Sequence, residues 1–439
     1  MSLAVIVVGL AGQTAAWASV KISKKPTQNM SCSGGVCSPT AKKAVLNVND
    51  LAQLLAGGNA TIKSGQLAQD IEIDAALSWT STNRLTLDAY GSITFNKPVK
   101  LLGAGALTIA TNDGGTGGDF RFVGRGHAKF SDVHSALTIN GQRYQLFKSF
   151  KAFRREFRHG AGTRKFYAQA GNWDMSGSIY SASPIDIAFE GAFEGLGNAI
   201  SHMTIHEPSE DRSTALGFFG GVSLTGVVRD ITLTDVDVAG MGSVLRGAGA
   251  LAGGSAGVVS NARVTGQVSS TVTGVEVGGL LGTNGGMVSD SSANIAVSGN
   301  TETLSGGLVG HNLSLDGYPA IVQDSYASGT VSGGSAIGGL IGKMEGGNVS
   351  NSYSSATVTG SEGASAGGLI GAFAPGYSAP RLSASYSTGI VSEGAFVGGL
   401  IGQDLVGSGI ADSYWDMDTS GISDPARGAG NVANDPGIT

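Results

Sequence analysis

The chain has 439 residues, of which 72 are glycine and only 14% are charged, with a formal net charge of -6 and 41% hydrophobic residues. Such a composition is too apolar and too weakly charged for intrinsic disorder, and glycine does not fall at every third position as collagen requires. The near-neutral charge gives no electrostatic basis for nucleic-acid binding, so no nucleic-acid partner is expected.

In chain order, residues 1–18 read as a signal peptide. Leu3 to Leu10 is a short apolar run, and small residues around Ala16-Trp-Ala18 follow it as a cleavage site would. The run is too short to span a bilayer, and no later stretch approaches the roughly 20 apolar residues of a membrane helix. Residues 19–68 form an N-terminal cap region. It contains the only two cysteines, Cys32 and Cys37, enclosing Ser-Gly-Gly-Val. After an export signal, this pair reads as a disulfide-closed turn, since a metal site would want two further ligands. A helix is expected from Asn49 to Ala56, opened by an Asn/Asp cap and closed by Gly57.

Residues 69–171 combine short strands, among them Ile71 to Ile73, Leu85 to Leu87 and Leu107 to Ile109, with a segment of different character. From Tyr144 to Arg158, Leu146, Phe147, Phe150, Phe153 and Phe157 fall at helical spacing with Lys148, Lys151, Arg154, Arg155 and Arg158 between them. The spacing predicts an amphipathic helix that docks its Phe face on the rest of the fold. A contact with acidic glycans or lipid headgroups is the alternative use of its positive charge.

From residue 172 to 421 the chain is repetitive. Gly278-Gly-Leu-Leu-Gly282, Gly306-Gly-Leu-Val-Gly310, Gly338-Gly-Leu-Ile-Gly342, Gly367-Gly-Leu-Ile-Gly371 and Gly398-Gly-Leu-Ile-Gly402 are copies of one phrase, and Gly217 to Gly220 and Gly249 to Gly253 are looser ones. The apolar residues Phe218, Leu251, Leu280, Leu308, Leu340, Leu369 and Leu400 are spaced by 33, 29, 28, 32, 29 and 31. Between copies lies a Ser-Tyr phrase that repeats Tyr326, Tyr353, Tyr386 and Tyr414. Glycine at this density excludes helices, and each repeat is too small to bury its own apolar face. Two or three short strands per repeat, coiled so that each strand pairs with the coils above and below, satisfy both constraints. The fold class expected is all-β, a parallel β-helix with a small helical insertion near 144–158. The repeated glycines mark positions of positive φ or of close backbone approach. Residues 422–439 read as a flexible tail.

These phrases, with the closing Ser413-Tyr-Trp-Asp-Met-Asp-Thr-Ser-Gly421, resemble the GLUG repeat of large bacterial surface and secreted proteins. Phe189 to Ile200 and Met203 to Ile205 resemble its lead-in coil. Residues 70–110 are more loosely similar to a coil of filamentous-haemagglutinin-type exoproteins. The resemblance implies a right-handed β-helix, secreted or displayed at the cell surface, commonly in adhesins. A host-surface or matrix protein or glycan is then the expected partner, and an elongated monomer the expected state. The recognition surface would be a strand face bearing Ser, Thr and Tyr326, Tyr353 and Tyr386. Stacking of these tyrosines inside the solenoid is the favoured alternative, because it buries their rings.

No catalytic residue, cofactor or metal is expected. Gly253-Gly-Ser-Ala-Gly257 and Gly363-Ala-Ser-Ala-Gly367 match the serine-nucleophile elbow in letters, but neither precedes a helix with a later His and acid. His206-Glu-Pro-Ser-Glu210 begins like a zinc-protease helix and is broken by Pro208. Gly247 to Ala252 mimics a dinucleotide fingerprint without the alternating strands and helices that one needs. The carboxylate pairs Asp235 with Asp237 and Asp416 with Asp418 have the spacing for glycoside hydrolysis, but lack an accompanying basic cluster.

Overall fold

The computed structural model describes residues 18–157, 165–209 and 214–439, so residues 1–17 of the signal-peptide segment, Arg158 and Glu210 lie outside the described residues. The chain divides into two units, Met1–Arg143 and Tyr144–Thr439. Both are parallel β-solenoids, and the helices among the described residues are three short ones: α1 (Val48–Gly57), α2 (Phe150–Arg155) and α3 (Met417–Ser420).

In the first unit each coil contributes three strands. Asp70–Ile73, Leu77–Trp79 and Arg84–Asp88 pair in parallel with Ile93–Phe95, Val99–Leu101 and Ala106–Ala110 of the next coil. Alternation along each strand sends every second side chain inward. Like residues therefore stack in register: Leu85 on Leu107 on Leu137, and Phe95 on Phe122 with ring centroids 4.5 Å apart. The α1 cap is Asn47, whose side chain accepts from the Asn49 amide at 2.8 Å, so the helix opens one residue before the expected start. The hairpin Met30–Ser33 and Val36–Pro39 turns through Gly34 and Gly35, both at positive φ, and joins the Cys32 and Cys37 sulfurs.

In the second unit each complete coil runs through four sheets, where two or three strands per repeat were expected. The sheets are defined here by one coil: sheet I (Arg263–Ser270), sheet II (Glu276–Gly278), sheet III (Leu281–Asn284) and sheet IV (Met287–Ser289). The extra strand arises because the glycine phrase folds as a sharp arch rather than a loop. Its first glycine ends sheet II, its Leu turns the corner, and its last glycine lies in sheet III. Leu280, Leu308, Leu340, Leu369 and Leu400 are fully buried at this corner; each of the first four amides donates to the Leu carbonyl of the following coil at 2.9 Å, and the Leu400 amide donates to Gly428 O at 2.9 Å.

Close approach, not positive φ, explains these glycines. A Cβ on Gly342 would lie 2.5 Å from Gly310 O and 2.7 Å from Ser305 N, while none of the phrase glycines of the five full copies has positive φ. The left-handed positions belong instead to Asp290, Asp324, Asn351 and Asp412, at φ of 46 to 51°. Asn and Asp tolerate this conformation better than other residues with a Cβ, which accounts for their place before three of the four Ser-Tyr phrases; before Ser385 the chain holds Ala384 there, at φ of 47°. Behind them runs a buried serine ladder. The Ser325 amide donates to Ser352 Oγ at 3.2 Å and the Ser352 amide to Ser385 Oγ at 3.2 Å, and each hydroxyl donates to the carbonyl two residues earlier.

The segment expected as one helix over 144–158 divides in two. Gln142–Phe147 is a strand, and only Phe150–Arg155 is helical, opened by the Ser149 side chain accepting from Ala152 N. Pairing of Gln145 to Phe147 with Tyr167 to Gln169 captures the first half, because sheet hydrogen bonds there replace helical ones. The Phe face packs inward, with Phe150 and Phe153 buried against Trp173, Phe193 and Phe218. At the other end, residues 422–439 do not hang free. Ala429 bridges to Ile401, Ile438 bridges to Ser413, and Ile422 and Ala429 are buried.

Candidate functional site

The most regular exposed feature is the tyrosine column of sheet I. Tyr326, Tyr353, Tyr386 and Tyr414 occupy one register position on successive coils. Tyr326 and Tyr353 stack with centroids 4.9 Å apart and planes 5° off parallel, Tyr353 and Tyr386 at 5.0 Å and 3°. The spacing is that of the parallel strands themselves. The rings face outward, contrary to the favoured interior placement: Tyr326 is 38% exposed, Tyr386 41% and Tyr414 48%. Side-chain parity decides this. The preceding Ser turns inward to bond the sheet IV carbonyl, so the next residue must turn out, while Ala327 and Ser354 turn in again. Partial burial between its two neighbours raises the Tyr353 phenol above its ordinary pKa. On the same column the earlier coils carry Arg263 and Ser292.

The start of sheet I brings together side chains that no motif in the sequence joined. His202 Nδ1 lies 2.9 Å from Asp174 Oδ1, with Nε2 3.9 Å from Asp235 Oδ2; His206 Nε2 lies 2.8 Å from Asp237 Oδ2, whose other oxygen accepts from Gln267 at 2.9 Å. Each member of the Asp235/Asp237 pair thus meets an imidazole, contrary to the expectation of no basic company. The readable signal was His-x-x-x-His one repeat length before Asp-x-Asp. All five side chains are at least partly exposed, and Asp174 is held below the usual carboxylate range by the Ser176 amide and then by His202. The other pair is structural: Asp416 caps α3 and accepts from the Asp418 amide.

The remaining catalytic look-alikes sit in ladder positions. Ser255 ends a sheet III strand, and Ser365 opens a sheet II strand with its hydroxyl donating to Gln403 at 3.2 Å, so neither stands on an elbow before a helix. His206 ends a strand and Gly247 begins one. No group of three His, Cys, Asp or Glu side chains converges as a metal-binding set among the described residues.

A buried carboxyl pair belongs to folding rather than binding. Glu194 and Asp230 are both buried and interact with each other, with Arg229 3.5 and 3.1 Å from them and Asn261 donating to Asp230. Burial first, and then Asp230, push the Glu194 carboxyl well above its ordinary value. A raised carboxyl stabilises the fold fully below the unfolded pKa and loses that contribution as pH climbs through the folded one. Glu194→Gln keeps a donor and cannot ionise. Its stability relative to the wild type is therefore expected to improve from pH 4 to pH 8, by about 1.4 kcal/mol for each unit that Glu194 is raised. Urea titrations of both proteins at the two pH values check this; parallel curves would refute it.

Residues 333–359, one full turn through sheets II, III, IV and I, match the family described as the GLUG motif. The chain carries a GLUG repeat. Over 264 residues, 58% of this chain, it is 35% identical to halomucin of Haloquadratum walsbyi, and it spans 3% of that protein's length. Among solved structures it is similar to a Bacteroides ovatus protein described provisionally as an immunoglobulin A1 protease. That likeness covers 62% of this chain and 81% of the other, at 15% identity and a TM-score of 0.42. No helix among the described residues is long and apolar enough to cross a membrane.

Proposed function

We propose that the protein is an exported, surface-displayed β-solenoid that works as a non-catalytic adhesin, binding a host-surface or matrix protein or glycan through sheet I. The observation that carries this reading is the outward tyrosine column, which offers aromatic area and a row of hydroxyls on a rigid, flat face. Exposed tyrosines held in place lose little side-chain entropy on binding and supply both apolar contact and hydrogen bonds. The GLUG repeat and the similarity to halomucin support a place outside the cell, with residues 1–18 as the export signal. The haemagglutinin-like reading of residues 70–110 belongs to the same proposal.

The test is retention of the full chain on immobilised matrix proteins and neutral or acidic polysaccharides, with reducing ends measured alongside. Saturable retention of intact ligand, weakened about tenfold or more by Tyr353→Ala with Tyr386→Ala, is expected. Retention unchanged in that variant would refute the tyrosine face. Chain shortening would favour a second reading, a carbohydrate-active enzyme using Asp235 and Asp237 with His202 and His206, because His206 and Asp237 lie at the hydrogen-bond distance that acid–base partners in such chemistry need. No retention on any surface would leave a passive spacer.

A further inference from the structure

A cleft elsewhere in the second unit uses none of these residues. One wall is α2, the other is residues 177–183, and Asp186 also lines it; the cleft is open to solvent and its volume is about 840 Å³. The size falls within the roughly 300–1,000 Å³ of small-ligand sites. Two cations, Lys151 and Arg154, line it. Both are exposed, and neither has a carboxylate within ion-pair distance among the described residues. The guanidinium of Arg154 sits 5.4 Å from the centre of the Tyr180 ring, which itself meets Phe150 edge-on at 6.0 Å. Phe150 is buried, so the planar cation is held over a ring anchored in the core rather than left to roam. Ser178 and Ser181 add exposed hydroxyls.

We infer that this cleft binds an anionic saccharide, a sugar chain bearing carboxylate or sulfate groups. A pre-positioned guanidinium favours planar oxyanions through paired hydrogen bonds, Lys151 adds a second positive charge, and the serines and Asp186 suit sugar hydroxyls. A lipid surface fits less well. Membrane contact wants a broad apolar face, whereas Ile179, 72% exposed, is the one large apolar side chain in the lining that stands out into solvent.

Calorimetry of the full chain with an oligogalacturonate, a sulfated dextran, unmodified dextran and phosphatidylserine vesicles tests the site. The wild type is expected to bind one or both anionic saccharides and not unmodified dextran, with affinity falling as salt is raised. K151Q with R154Q should lose at least about tenfold in affinity. R154K, which keeps charge but not the planar fork, should lose part of it. Tyr180→Phe, which keeps the ring, should retain binding, and so should Tyr353→Ala with Tyr386→Ala, which separates this cleft from the tyrosine face. Equal affinity in the wild type and the K151Q/R154Q variant, binding to the vesicles alone, or no binding to either anionic saccharide would overturn the inference.

Discussion

Gly338→Ala is expected to cost about 3 kcal/mol or more, at or beyond the upper end of what overpacking usually costs. The added Cβ would fall on the Ile341 carbonyl oxygen of its own arch and lie 2.7 Å from Gly371 N of the next coil. Both are backbone atoms held by ladder bonds above and below. Neither can retreat without breaking the Leu340 corner or the pairing of Ala336 to Gly338 with Ser365 to Gly367. Because neighbouring coils share their interface, the damage should spread along the array rather than stay in one turn. Gly254→Ala is the control. It lies on the sheet III strand one residue past an arch, and its Cβ would meet nothing nearer than Thr283 at 3.9 Å, so a change within about 0.5 kcal/mol is expected. Urea denaturation followed by circular dichroism separates the two. A Gly338→Ala protein as stable as Gly254→Ala would refute the close-approach account.

Phe153→Ala should cost about 3–5 kcal/mol, the range for emptying a buried aromatic site. The ring is fully buried with centroids 5.0 to 5.6 Å from those of Phe147, Phe157, Tyr167, Trp173 and Phe193. So many rings converging from four separate strands and from Phe157, just past the helix, leave no side chain free to fill the gap. A helix of six residues has little stability of its own, so it owes its existence to this docking. Loss of α2 would then also loosen the cleft formed by Lys151 and Arg154. Phe157→Ala, at a half-buried position on the same stripe, should cost less. The same denaturation series checks the order; equal costs at Phe153 and Phe157 would mean that the helix face, not the single anchor, carries the energy.

Much of the architecture was legible because the repeat writes it several times. The recurring Leu of the glycine phrase marks each corner, its spacing of 28 to 33 residues marks each coil, and the Asn or Asp before Ser-Tyr marks a turn in left-handed conformation. The fourth strand per coil was not legible, since an arch and a loop share the same Gly-Gly-Leu letters. Whether the glycines answered to φ or to crowding was equally hidden, because crowding comes from a backbone in the next coil.

The site divides in the same way. That Tyr326, Tyr353 and Tyr386 form a column follows from their repetition alone. That the column faces water was decided by the serine before each, whose inward hydrogen bond sets the parity of the strand. His202 and His206 meet Asp235 and Asp237 only because the strands bearing them are adjacent coils in register, and Lys151 and Arg154 face residues 177–183 only because Phe150 and Phe153 dock. Local letters determined the period, the turns and the all-β class, since those depend on steric rules along a few residues. Which side chains point out, and which meet across about thirty residues of chain, belonged to the tertiary structure, since register and parity are properties of stacked coils and not of any one of them.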